Sequence, residues 1–125
     1  MNDTDVSPVS DDQEPTVHSL TTLASELLDQ ARAHSSRRAA ATLSGGPIMR
    51  ATLIAMAQGT ELAEHDAPPA ATLHAVTGHV VLRAGTHLWR VGAGELVAIP
   101  QMRHSVTAES DSVLLLTVAL HGPKL

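Results

Sequence analysis

The sequence predicts a mainly β protein, an antiparallel barrel or sandwich preceded by one amphipathic helix. Between about residues 39 and 120, short apolar stretches alternate with turn residues at close and regular spacing. No helical periodicity interrupts that region, a pattern typical of antiparallel barrels and sandwiches. Before it, leucines recur at helical spacing.

The chain begins with an acidic segment. Residues 1–15 contain five of the 13 acidic residues and no Lys or Arg. This composition predicts a disordered acidic tail over residues 1–16, followed by a helical segment over 17–36 and a barrel over 39–121. Acidic and basic residues balance in the remainder, so no basic excess is left for binding nucleic acid.

The predicted helix runs from about residue 19 to residue 34. Leu20, Leu27 and Ala31 lie on one face at the spacing of an amphipathic helix. Ser19 is in position to cap the first turn, since its hydroxyl can accept a hydrogen bond from an early backbone N–H. We expect this helix to pack on the barrel or on a partner subunit.

The strands are predicted from apolar runs and the turn residues between them. Pro100 ends one of them, because proline has no N–H to donate to a sheet. In the strand that opens at Arg50, that residue shares a face with Thr52, Ile54 and Met56. The predicted strands are residues 39–43, 50–57, 71–76, 79–84, 87–91, 96–99, 104–108 and 113–120, with a polar loop at 60–66. The expected core residues are Leu53, Leu73, Val80, Leu82, Leu96, Val106, Leu114 and Leu116.

Composition excludes several classes of protein. Without cysteine there is no disulfide and no thiolate metal ligand. We find no secretory signal at the start, and the longest apolar stretches are too short for a membrane span. We therefore expect a cytoplasmic protein that binds neither membrane nor nucleic acid.

Two spaced motifs resemble those of cupins, in a region of about residues 49–120. The first is Gly59 followed after five residues by His65 and later by Gly78, and the second is Gly94-(five residues)-Pro100 with His104 after it. The passage from Pro100 onward is similar to that of many small bacterial cupins. The resemblance implies a double-stranded β-helix, or jelly roll, commonly assembled as a dimer.

The same resemblance implies a metal site, from which this sequence departs. Cupins usually take two histidines and a glutamate from the first motif and one histidine from the second. His65 and His104 match two of these ligands, whereas Ala67 and Ala71 stand where the second histidine and the glutamate belong. The step from Pro100 to His104 is also one residue shorter than the commonest form.

The sequence alone leaves the identity of a third metal ligand open. Glu61 lies four residues before His65 and would complete a 2-His-1-carboxylate set with His104. His74 is the other candidate, although strict alternation turns it away from Leu73 unless a bulge intervenes. Such a set would hold a divalent transition metal weakly. Without it, His65 and His104 are polar residues lining the barrel mouth.

Three functions fit these observations. The first is a small-molecule-binding or sensory module with a degenerate metal site, favoured by Ala67 and Ala71. The second is a metal-dependent cupin enzyme of dioxygenase or isomerase type that uses His65 and His104. The third is an assembly protein whose helix and sheet edge form a partner interface. We expect a homodimer, because dimerisation covers the edges and outer face of a small open jelly roll.

Overall fold

A computed structural model describes residues 14–122 of the chain. The predicted acidic tail lies almost wholly outside these residues, and the predicted domain limits stay predictions. Within residues 14–122 no helix is long and apolar enough to cross a membrane. The elements of this part of the chain are α1 (Leu20–Ala33), β1 (Arg38–Ser44), β2 (Met49–Met56), β3 (Glu61–His65), β4 (Ala70–Thr77), β5 (His79–Ala84), β6 (His87–Gly92), β7 (Leu96–Ala98), β8 (His104–Ala108) and β9 (Ser112–Ala119).

The strands form two antiparallel sheets that face each other across an apolar interior. The first sheet has the order β1-β2-β9-β4-β7, and the second has the order β3-β8-β5-β6. The interior is built from alternate residues of both sheets, such as Leu73 and Leu114 from the first and Leu82 and Val106 from the second. This arrangement confirms the predicted jelly-roll class of fold.

Helix α1 covers part of the outer face of the first sheet. The Ser19 hydroxyl accepts a hydrogen bond from the Thr22 backbone N–H at 3.4 Å, which caps the first turn as predicted. Ala24, Leu27 and Ala31 are buried against outward-facing residues of β2 and β9. Burying one leucine in this way stabilises the fold by about 1.5–3 kcal/mol.

A carboxylate ties the helix to the two turns beneath it. Asp111 accepts a hydrogen bond from the Arg32 Nε at 2.8 Å and another from the Gln58 backbone N–H at 2.7 Å. The Gln58 N–H, followed by the Arg32 guanidinium, holds the pKa of Asp111 below its usual range, because both stabilise the charged form. The charged state of Asp111 therefore helps to dock α1.

The expected core is largely confirmed, with one correction. Leu73, Val80, Leu82, Val106 and Leu114 are buried in the interior, Leu116 packs against them, and Leu53 is buried between β2 and α1. The prediction for Leu96 was wrong, because this side chain is 64% exposed. Strand β7 is an edge strand of three residues, and it is Val97 that packs on the interior. A shift of one residue exchanges the two faces of a strand.

A second correction concerns the predicted polar loop at residues 60–66. Residues Glu61–His65 form strand β3, which pairs with β8 at the edge of the second sheet. Its polar residues are tolerated because an edge strand is covered on one side only. The pairing places β3 directly beside the strand that begins at His104.

Candidate functional site

The pairing of β3 with β8 brings the two predicted site histidines together. His65 and His104 are direct partners across the two strands. Their imidazole rings lie edge to face, with 4.3 Å between the ring centroids. His65 is the last residue of its strand and His104 the first of its own, so the pair stands at one end of the barrel.

A bulge in β3 decides which side chains accompany the pair. The register shifts between Leu62 and His65, and both residues line the interior. Their residue numbers differ by three, an odd number, so in a regular strand they would face opposite sides of the sheet. The bulge therefore removes Glu61 from the face of His65, although their spacing of four predicts a shared face.

Backbone carbonyls fix the orientation of both imidazoles. The Nδ1–H of His65 donates to the carbonyl of Ala63 at 2.8 Å, and that of His104 donates to the carbonyl of Met102 at 3.0 Å. A carbonyl oxygen only accepts, so the hydrogen of each neutral ring lies on Nδ1. Each Nε2 then carries a free lone pair and acts as an acceptor.

His104 is almost wholly buried, at 2% exposure, although it lines a cavity at the barrel mouth. In residues 14–122, the Oγ1 of Thr77 is the one fully enclosed side-chain polar atom without a hydrogen-bond partner. The Nε2 of His104 has no partner there either, so it is not fully enclosed. The Nε2 of His104 is therefore an acceptor that no donor within residues 14–122 satisfies.

The histidines lie between a small inner void and a larger cavity at the barrel mouth. The void measures about 20 Å³ and is otherwise apolar. The cavity at the mouth measures about 330 Å³ and opens to solvent. Besides the two histidines, its walls are formed by Asp66, Ala67, Pro68, Ala71, Ile99, Leu116 and Val118. The site thus combines two imidazole acceptors and the carboxylate of Asp66 with a largely apolar wall.

Charged residues at the rim connect the two loops of the mouth. Arg103 donates to Glu64 at 2.8 Å and to Asp66 at 3.0 Å, and these carboxylates raise the pKa of the Arg103 guanidinium. Gln101 donates to the carbonyl of Pro68 at 3.0 Å. This rim was not predicted from the sequence. The signal was present, because Glu64 and Asp66 flank His65, and Arg103 precedes His104.

The donor set does not fit a tightly held metal ion. Within residues 14–122, no group of three His, Asp or Glu side chains is close enough to hold one. The bulge turns Glu61 away, and His74 lies on the outer face of the first sheet between Leu96 and Leu115. Two imidazoles alone rarely hold a divalent ion tightly. Weak metal binding by His65 and His104 stays a prediction.

Solved structures share this fold at low sequence identity. A conserved protein of unknown function from Streptococcus pyogenes is 20% identical, with a TM-score of 0.65 over 74% of this chain and 80% of its own. A cupin superfamily protein from Desulfitobacterium hafniense is 12% identical, with a TM-score of 0.64 over 67% and 78%. An RmlC-like cupin from Shewanella frigidimarina is 16% identical, with a TM-score of 0.62 over 67% and 77%. Neither a protein-family model nor a curated protein matches the sequence.

Proposed function

We propose that this chain, which has the cupin fold, is a binding module that holds a small molecule at its barrel mouth. One observation carries the proposal. His65 and His104 line one cavity of about 330 Å³, and the Nδ1 hydrogen bond of each ring leaves its Nε2 as an acceptor. That volume is at the lower end of the range for small-molecule sites. A ligand with a hydroxyl or N–H group would donate to the imidazoles and bury its apolar part against the walls.

A ligand screen by NMR tests this proposal. The protein is labelled at its histidine rings and titrated with small hydroxyl- or N–H-containing compounds. Binding is expected to shift the ring signals of His65 and His104, and to leave those of His74 unchanged, because His74 lies on the outer face of the first sheet. His104→Phe keeps a ring in the cavity and removes the acceptor, so it should weaken binding about tenfold. His74→Phe is the matched control.

Two results would contradict the proposal. In one, no compound shifts the rings of His65 and His104 at millimolar concentration. In the other, His74→Phe weakens binding as much as His104→Phe does, which would place the ligand outside the barrel mouth.

A metal-dependent enzyme of dioxygenase or isomerase type is the second candidate function. The Nδ1 hydrogen bonds favour it, because the same arrangement orients histidine ligands in metal sites. Elemental analysis of protein purified without an affinity tag tests it. Stoichiometric transition metal that disappears in the double variant His65→Ala, His104→Ala would support this function. Metal at the same low level in both proteins would contradict it.

We also propose that the chain forms a homodimer through the part of the first sheet that α1 leaves uncovered. This open face consists of Ile48, Met49, Ala70, Thr72, Leu96, Ala98, Thr117 and Ala119. Ile48, Met49 and Leu96 are each more than half exposed. The face is uncharged and built mainly from small side chains, so a second copy can pack flat against it.

Light scattering coupled to gel filtration tests the dimer. Leu96→Glu places a charge in the open face and should give a monomer. Leu88→Glu, at an exposed leucine of the second sheet, should leave the dimer intact. A wild-type monomer, or a dimer insensitive to Leu96→Glu, would contradict the proposal.

The cytoplasmic location stays a prediction, and fractionation of cells that express the chain tests it.

A further inference from the structure

Arg50 stands next to one wall of the cavity at the barrel mouth, although it is not itself a lining residue. It is the direct cross-strand partner of Val118, and Val118 is part of the cavity wall. Directly opposed residues on neighbouring strands point to the same face, with their Cβ atoms about 4.5–5.5 Å apart. On β2, Ile54 and Met56 pack on the interior, and alternation gives Arg50 that same face. Arg50 is exposed because it stands at the end of the barrel.

Arg50 is a cation without a carboxylate partner among residues 14–122. The ion pairs in that part of the chain belong to Arg32, Arg90 and Arg103. At the rim, the carboxylates of Glu64 and Asp66 both bind Arg103. Arg50 is therefore the guanidinium at the mouth whose donors are free for a ligand.

We infer that the cavity takes a small hydroxycarboxylic acid, whose carboxylate binds Arg50 and whose hydroxyl donates to the imidazoles of His65 and His104. This inference rests on the proposed function and adds the chemical class of the ligand. A guanidinium binds a carboxylate with two parallel hydrogen bonds. The acceptor Nε2 atoms select a donor at the other end, and apolar walls such as Leu116 cover the carbon atoms between. A neutral or cationic ligand would leave the guanidinium of Arg50 without a negatively charged partner.

The test uses three aromatic probes of matched size. 4-Hydroxybenzoate has both groups, 4-hydroxybenzamide lacks the charge, and 4-methoxybenzoate lacks the donor. 3-Hydroxybutyrate and its amide serve as a shorter pair. Dissociation constants are measured by NMR on wild type, Arg50→Gln and Arg83→Gln. Arg83 is exposed on the second sheet and has no ion-pair partner in residues 14–122, so its variant changes the net charge equally. Urea unfolding midpoints equal to that of the wild type show that the variants remain folded.

The expected result is specific to Arg50. The hydroxy acids should bind more tightly than their amides, and Arg50→Gln should weaken the acids about tenfold while Arg83→Gln leaves them unchanged. Acids and amides with equal affinity, unaffected by Arg50→Gln and weakened by His104→Phe, would overturn the inference and leave the proposed function standing. Binding by no probe would also overturn the inference, and the wider ligand screen would then decide the proposed function.

Discussion

Replacing Gly78 by alanine should be among the most damaging single changes in this chain. Gly78 joins β4 to β5 and so carries the chain from the first sheet to the second, with a φ of 80°. A Cβ at this position would lie 2.7 Å from the Cα of Ser112 and closer still to the Asp111 carbonyl oxygen and the Ser112 Oγ. The buried Ser112 hydroxyl also accepts the His79 N–H at 3.0 Å and donates to the Ser110 carbonyl at 2.7 Å.

The expected cost of Gly78→Ala has three sources. The left-handed backbone costs a non-glycine residue about 1–2 kcal/mol. Moving the adjacent backbone to remove the overlap costs about 1–3 kcal/mol more. A displaced Ser112 would leave buried polar groups unpaired, at about 1–3 kcal/mol. We expect a total of about 3–8 kcal/mol, against a stability of about 5–15 kcal/mol for a typical domain.

Gly59→Ala is the matched control for this prediction. Gly59 has a φ of 84°, and a Cβ there would meet nothing within 4 Å. It should cost about 1 kcal/mol, since the strained backbone is partly offset by the reduced entropy of the unfolded chain. Urea unfolding followed by the fluorescence of Trp89, the one tryptophan of the chain, measures both variants. Equal losses at Gly78 and Gly59 would refute the reasoning about the overlap.

Two further predictions concern the core and the docking of the helix. Leu82→Ala should lower the free energy of unfolding by about 2.5–5 kcal/mol, because Leu82 is fully buried. The exposed Leu88→Ala should lower it by less than about 0.5 kcal/mol in the same urea experiment. Asp111→Asn should lower it by about 1 kcal/mol at neutral pH, since the pKa of Asp111 is held below its usual 3.8 in the folded state. Because its pKa is lowered on folding, charged Asp111 stabilises the fold at pH values above its usual pKa, and this stabilisation is lost as the pH falls through the folded pKa. The difference in free energy of unfolding between Asp111→Asn and the wild type should therefore disappear in acid. Glu26→Gln, at an exposed residue of α1 that forms no ion pair within residues 14–122, is the control, and a gap that persists at about pH 2 would contradict the assignment.

The sequence predicted the helix and most strands because those signals are local. Leucines at helical spacing and a serine cap define α1 within one residue at each end. The hairpin of β5 and β6 follows from two apolar runs around a Gly-Thr turn. His65 and His104 were selected by their places in motifs, and the structure sets them side by side.

The remaining features depend on pairing between distant parts of the chain. Strand β3 is polar, so its strand character comes from its position beside β8 rather than from its composition. The exposure of Leu96 follows from the register of an edge strand, which a run of apolar residues does not define. The bulge after Leu62 decides whether Glu61 joins His65, and no residue in the sequence marks it. Arg50 acquires its position at the mouth only through its pairing with Val118.

The hydrogen positions on His65 and His104 provide the most direct test of the site. Long-range ¹⁵N–¹H correlation spectra of the histidine rings distinguish Nδ1–H from Nε2–H in neutral imidazoles. With the rings bound to the carbonyls of Ala63 and Met102, both should have the hydrogen on Nδ1 and a free Nε2. Two Nδ1–H rings would support two acceptors facing one cavity. Nε2–H on either ring would contradict the account, because that ring would then donate rather than accept at the barrel mouth.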